Sequence, residues 1–181
     1  MPEAYISRVA NRLGAVSLTL GDGIREATEA ATGLAGGLPA ALVSLREWAD
    51  GNPVEVLAGA MRVSHSRAVR VVDRLEADGL ARRESDPADG RRALVRLEPA
   101  GRELAERALE ARSRVLRLAV AGLDAADVRD LERVLGVLLD ATTVDVRAAM
   151  GTCRLCDAHA CGHYDGDCPV TRAADRRRAA A

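Results

Sequence analysis

The chain has 181 residues, a formal net charge of −1 and 48% hydrophobic residues, enough for one ordinary domain with a real core plus an appendage. Its only aromatic residues are Tyr5, Trp48 and Tyr164, so the core must be Ala, Leu and Val, which favours close-packed helices over a sandwich of large rings. The charge excludes a general polycation, and no apolar run approaches the length needed to span a membrane.

Residues 1–12 lack the apolar stretch of a signal peptide, so a cytoplasmic location is expected, where permanent disulfides do not persist. All 26 basic residues are arginine, as a GC-rich bacterial genome would favour. Their distribution is uneven. Residues 1–61 hold four arginines against seven acids and residues 103–151 seven against nine, whereas residues 62–102 hold ten against seven. A locally positive segment in a slightly acidic protein points to a focused anionic partner.

In chain order, residues 4–32 predict an alanine-rich helix with Ile6, Val9, Leu13 and Val16 on one stripe, weakened by Gly14, Gly21 and Gly23. GLAGGLP (33–39) is a loop, and Pro39 opens a helix that Gly51 stops. Asn52 is placed to cap a short helix, with Pro53 at its first position and Glu55 closing a capping box. That helix ends near Arg62-Val63. Ser64 offers the next cap, and SHSRAVRVVDRLEADG runs helically to Gly79. Two short helices so joined, the second strongly charged, have the outline of a helix-turn-helix.

On the second of these, Ala68, Val71, Val72 and Leu75 form a stripe to be buried, and Arg67, Arg70 and Arg74 form a second row. Residues 80–85 and 93–98 read as strands around a turn at 86–92, although Leu94 breaks strict alternation. Pro99 opens a long helix to about Gly122. A further helix from Asp124 to about Met150 carries Val128, Leu131, Leu135 and Leu138. No internal repeat is visible.

The order helix-turn-helix, then a ribbon with arginines at its tip, is that of a winged helix, and duplex DNA fits its physics. The second helix suits the major groove, with Ser64, His65 and Ser66 at its amino end and Arg67, Arg70 and Arg74 within reach of guanine or phosphate. The ribbon tip can push Arg91 or Arg92 into the narrow minor groove, with Asp86 and Asp89 bracing them. Arginine rows on helices are usually just solvated faces, and Arg74 has Asp78 four residues on as an alternative partner. The turn and the ribbon together carry the DNA reading.

The stretch RVSHSRAVRVVDRLEADGLARRESDPADGRRALVRLEPAGREL resembles the DNA-binding core of the multiple-antibiotic-resistance regulator (MarR) family, from about Leu42 through Leu104. The resemblance implies a mainly α protein, a winged helix-turn-helix with a two-stranded β wing, flanked by long N- and C-terminal dimerisation helices. It further implies a homodimer whose first and last helices intertwine, a palindromic operator in double-stranded DNA, and repression relieved by a small-molecule effector or by chemistry. By position, Ser64, Ser66, Arg67 and Arg70 would face the major groove, and Asp89 and Arg91 would be the braced pair of the wing. Glu98 stands where the family often has Thr, which weakens the expected start of the following helix. The first helix lacks the cysteine of the peroxide-sensing branch, which argues against that mechanism.

The expected organisation is therefore a DNA-binding and dimerisation domain over residues 1–151, with the DNA-binding core at about 39–98, and a cysteine-rich, partly flexible tail over 152–181. In that tail Cys153, Cys156, Cys161 and Cys168 follow a C-x2-C-x4-C-x6-C spacing. Four thiolates so spaced can surround one tetrahedral ion such as Zn2+, and the pattern resembles a zinc knuckle with a longer last gap. His159 or His163 could replace one sulfur, Cys168-Pro169 is also seen at iron–sulfur clusters, and a redox pair or inert thiols remain alternatives. Arg176, Arg177 and Arg178 near the end are expected to be disordered.

The leading expectation is a sequence-specific, dimeric transcriptional regulator, a repressor controlled by ligand, metal or redox signal. The alternative is a metal- or redox-responsive protein that uses the winged helix as a scaffold for dimer or protein contacts. An enzyme is not expected. Outside the tail there is no cysteine, one histidine (His65), no phosphate-cradling loop and no obvious carboxylate pair.

Overall fold

The computed structural model describes residues 2–90 and 92–180. Helix α1 runs Glu3–Thr32, and Gly33 ends it in the left-handed conformation, its N–H bonding back to Glu29. The three glycines within α1 do not break it. After the loop, α2 (Leu38–Ser44) starts with Pro39 in its first turn and continues through a wider turn, Leu45–Ala49, closed by the Asp50 N–H on the Leu45 carbonyl (2.9 Å).

The capping expected of Asn52 does not occur. Asn52 and Pro53 form a short strand, β1, paired antiparallel with Val95 and Leu94, and the Asn52 amide donates to the Asp50 carbonyl instead. Helix α3 therefore begins at Val54 and runs to Met61. Arg62 follows at φ 54, the only non-glycine residue with positive φ among those described, and turns the chain toward α4 (His65–Ala77).

Strands β2 (Ala81–Ser85) and β3 (Ala93–Leu97) pair antiparallel with Ala81 opposite Leu97 and Ser85 opposite Ala93. With β1 they make a three-stranded sheet in the order β1-β3-β2, so the two-stranded ribbon gains a third strand at its base. Leu94, Val95 and Leu97 are all buried, which is why alternation fails at Leu94: both faces of β3 are covered near the base. Helix α5 (Pro99–Val120) follows. Glu98 makes no capping bond there and pairs with Arg82 (3.2 Å).

The single helix expected over 124–150 is two: α6 (Ala125–Thr142) and α7 (Val146–Thr152). The break has local causes. Thr143 is fully buried with its hydroxyl on the Leu139 carbonyl (2.7 Å), and Asp145 caps α7 by accepting the Ala148 N–H (2.6 Å). The terminal arginines, expected to be disordered, lie on a helix. Helix α8 (Pro169–Ala179) packs Val170, Ala173 and Ala174 inward, while Arg176 and Arg177 pair with Asp140 of α6.

The core lies where α2, α3, α4 and α5 meet the sheet, with Leu42, Leu45, Leu57, Val72, Leu75 and Val95 almost wholly enclosed. The carboxyl half of α1 joins it through α5, whereas the stripe Ile6, Val9, Leu13 and Val16 is about half exposed. Helix α6 buries no residue at all, although Val128, Leu135 and Leu138 line one side of it. Among the described residues no helix is long and apolar enough to cross a membrane.

Candidate nucleic-acid interface

Helix α4 is anchored by one face and open on the other. Ala68, Val72 and Leu75 are fully buried, so Ser66, Arg67, Arg70 and Arg74 are turned to the exterior, and all four are exposed. The amino end is capped as its sequence implies: the Ser64 hydroxyl accepts the Arg67 N–H (3.3 Å) and lies 3.2 Å from the Ser66 hydroxyl. His65 faces Glu55 of α3 across 3.4 Å. Replacing Ser64 by alanine is expected to cost about 1 kcal/mol, a fall in Tm of about 2–4 °C, and Ser64→Asp should retain the cap. Thermal melts of the two variants check this.

Of the three arginines on this face, Arg74 alone is ion-paired among the described residues, with Asp78 at 2.7 Å. Such an exposed pair contributes little and exchanges readily for a phosphate. The wing turn is held by its own backbone: the Asp86 N–H donates to the Arg92 carbonyl and the Arg92 N–H to the Asp89 carbonyl, both at 2.9 Å. The Asp86 carboxylate accepts the Ala88 N–H (2.8 Å), closing an Asx turn. Arg92 and Asp89 are exposed at the tip, and Arg91 lies outside the described residues.

Several positioning residues gave no signal in the sequence. Arg83 of β2 clamps the wing to α4, its guanidinium reaching Asp73 (2.8 Å) and Glu76 while its N–H donates to Glu76 (2.7 Å). Asp50 ties the turn after α2 to the far side of the sheet, accepting the Leu97 N–H (2.8 Å) and the Arg102 guanidinium (2.6 Å). Arg96 pairs with Glu84 across the ribbon (2.5 Å), and that contact holds its guanidinium above its ordinary pKa. The reading helix and the wing thus form one braced unit, with Arg67 and Arg70 on one side and Arg92 at the tip.

The cysteine segment sits behind this unit. The Trp48 indole donates to the Cys153 carbonyl (3.2 Å), the Ser44 hydroxyl to the Arg154 carbonyl (3.2 Å), and the Ala158 N–H to the Glu47 carboxylate (3.3 Å). The four thiols are neighbours. The hydrogen bond between Cys153 and Cys156 lowers the first from the ordinary thiol range and raises the second to about 11. Its contact with Cys156, and then burial, push Cys161 up further still. The sulfurs of Cys161 and Cys168 lie 3.6 Å apart, and all four cysteines are free thiols. His163 is used elsewhere, edge-on to Trp48 and 2.8 Å from the Thr171 hydroxyl, and His159 leans on Tyr164.

A family model described as MarR family matches residues 53–92, which run from β1 through α3, α4 and the wing turn. The chain is 31% identical to a probable transcriptional regulator from Pseudomonas aeruginosa, the match covering 72% of this chain and 98% of that one at a TM-score of 0.55. It is 25% identical to a MarR family protein from Bacillus stearothermophilus, over 79% and 99% of the two chains at 0.70. It shares the fold, at 23% identity, with Sco3205, a MarR family transcriptional regulator from Streptomyces coelicolor solved in complex with DNA; that match covers 78% and 90% at 0.63. No match is found among curated proteins.

Proposed function

The chain belongs to the MarR family of transcriptional regulators, and from that premise we propose that it is a homodimeric repressor whose α4 and wing grip a palindromic DNA operator. The observation that carries this reading is the outward Arg67–Arg70 face of α4, on a helix whose opposite face is wholly buried and which Arg83 clamps to the wing. A helix so held enters the major groove as a rigid body, Ser64, Ser66 and the arginines meeting base edges and phosphates while the wing tip reaches the minor groove. In a symmetric dimer the two reading helices stand roughly 34 Å apart, one DNA turn, which is the geometry that makes a palindrome readable.

Release by a small effector has a seat in the fold. A cleft of about 660 Å³ opens between α5 and the turn after α2, its wall mixing Arg46, Arg114 and Arg117 with Glu106, Glu110 and Asp157. Arg46 in its wall belongs to the turn that Asp50 ends, so an occupant there would bear on the brace of the sheet.

The test starts from fragments that the protein retains from its own genome. Affinity for the retained sequence should fall steeply with salt, because each phosphate contact releases counterions. Arg67→Ala with Arg70→Ala should weaken it by about 100-fold or more, at roughly 1–3 kcal/mol for each lost contact, with the thermal melt unchanged. Retention of full affinity and salt slope by that folded double variant overturns the assignment.

A further inference from the structure

We propose that Cys153, Cys156, Cys161 and Cys168 form a tetrahedral Zn2+ site that fastens residues 153–168 onto the back of the helix-turn-helix. The sulfurs come from separate pieces of backbone that the fold brings together. Cys153 immediately follows α7, Cys156 comes one turn later, Cys161 lies in the loop, and Cys168 immediately precedes α8. The Cys156 N–H bonds to the Cys153 carbonyl (2.9 Å), so the first two cysteines share one tight turn, and the sulfurs of Cys161 and Cys168 are in contact at 3.6 Å.

The one S···S distance in the segment fits two thiols in contact or sharing an ion and excludes a disulfide between Cys161 and Cys168. A zinc ion with Zn–S bonds of about 2.3 Å has tetrahedron edges of about 3.8 Å. The 3.6 Å between Cys161 and Cys168 is close to that edge and far from the roughly 2.0 Å of a disulfide. Among the described residues no three or more His, Cys, Asp or Glu side chains already stand in the arrangement of an occupied site. The proposal therefore requires the thiols to close around an ion when it binds, and part of the backbone is already turned inward. Gly162 and Gly166, at φ 68 and 78, fold the loop so that the Asp167 and Cys168 N–H groups bond back to the Gly162 carbonyl.

The donor set is all sulfur because the histidines are engaged, His163 by Trp48 and Thr171 and His159 by Tyr164. Four thiolates with no open position are the set of a closed, structural zinc site. Such a centre is formally dianionic, and two features offset it: the positive charge of Arg112 on α5 lowers the pKa of three of the cysteine thiols, and Cys168 stands at the amino end of α8. The segment also needs a fastener. Between Cys153 and Cys168 there is no regular helix or strand, and of the fourteen residues between them only Ala158 is buried. A loop of that length inside a packed structure is uncommon unless something else holds it.

Occupation of the site would fix the carbonyls of Cys153 and Arg154 and the N–H of Ala158, the groups held by Trp48, Ser44 and Glu47. Those three side chains belong to α2 and the turn after it, whose interior residues pack in the same core as Val72 and Leu75 of α4. The metal therefore stiffens the support of the reading helix without touching DNA.

The test uses the full chain, reduced, stripped with chelator and handled without oxygen. Titration with Co2+ should give intense tetrahedral bands and a thiolate-to-metal charge-transfer band that saturate at one ion per chain and vanish when Zn2+ is added. With Zn2+ bound, mass spectrometry after alkylation should find all four thiols protected. Each Cys→Ser variant should lose affinity for Zn2+ by more than the roughly 10–100-fold that outer-shell changes cost, while His163→Ala and His159→Ala keep an unchanged Co2+ spectrum. If a serine variant fails to fold, the spectrum and thiol protection of the unaltered chain still decide. The proposal is overturned by a Co2+ spectrum without tetrahedral thiolate bands, by four thiols that stay reactive with Zn2+ present, or by protein isolated without oxygen that carries iron and sulfide. None of these readouts involves DNA, so the regulator reading and the zinc site stand or fall separately.

Discussion

Replacement of Gly101 by valine is expected to lower stability by about 3 kcal/mol or more, a drop in Tm of about 6–12 °C for a chain of this size. Gly101 lies buried in the first turn of α5, where the helix crosses the base of the wing. A Cβ there would stand 2.1 Å from the Leu80 carbonyl oxygen and 2.8 Å from a methyl of Leu97. The first obstacle is backbone and cannot swing aside. It is also engaged, since the Leu80 carbonyl accepts the Glu98 N–H (3.0 Å) and so joins the start of β2 to the start of α5. Any side chain must therefore lever α5 off the sheet or break that junction. Gly122→Ala is the control, because nothing lies within 4 Å of its Cβ direction, and its melt should stay within about 0.5 kcal/mol of the parent. Circular dichroism melts of both variants measure the difference. A Gly101→Val protein that melts with the parent would mean that α5 does not cross the wing this closely.

Gly101 is also instructive about what a sequence discloses. Its place after Pro99-Ala100 marks a helix start, and that was readable, but the need for a bare Cα came from a carbonyl twenty-one residues earlier. The same division holds along the chain. Ser64, Gly79 and Pro99 act on their immediate neighbours, and the helices they bound stand where those residues put them. The buried stripe of α4 was legible because one face packs and the other does not. Asn52 misled because its local offer of a cap was outbid by pairing with Val95, a partner no window of sequence contains. The break after Thr142 had a faint local signal, Thr143 and Val144 followed by Asp145, but no Gly or Pro to announce it. The docking of the cysteine segment on Trp48 and Ser44, more than a hundred residues away, had none. For the same reason Arg83 read as one more positive charge, although its partners Asp73 and Glu76 make it the clamp between helix and wing.

Arginine in place of both Leu13 and Leu135 is expected to abolish the dimer and, with it, specific DNA binding. Within one chain the amino half of α1 and the length of α6 ahead of its contact with α8 carry exposed apolar side chains: Ile6, Val9, Leu13 and Val16 on one, Val128, Leu135 and Leu138 on the other. Burying a half-exposed Val or Leu contributes about 1 kcal/mol, so covering both stripes in both copies gains on the order of 10 kcal/mol before the cost of association. Among the described residues no element covers them, and a second copy carries the matching surface. A two-fold axis then brings each stripe against the partner, and every substitution enters the seam twice. Arginine there must either hold unpaired charge out of water or keep the helices apart. Light scattering should show the particle mass fall by half, while the core around Leu42, Leu57 and Leu75, enclosed within one chain, keeps its cooperative melt. Affinity for the operator should drop by about 10³-fold or more, toward the non-specific level, because one reading head no longer delivers the other to its half-site. A doubly substituted protein that remains a dimer places the interface elsewhere and removes the reason for the long exposed helices on either side of the winged helix.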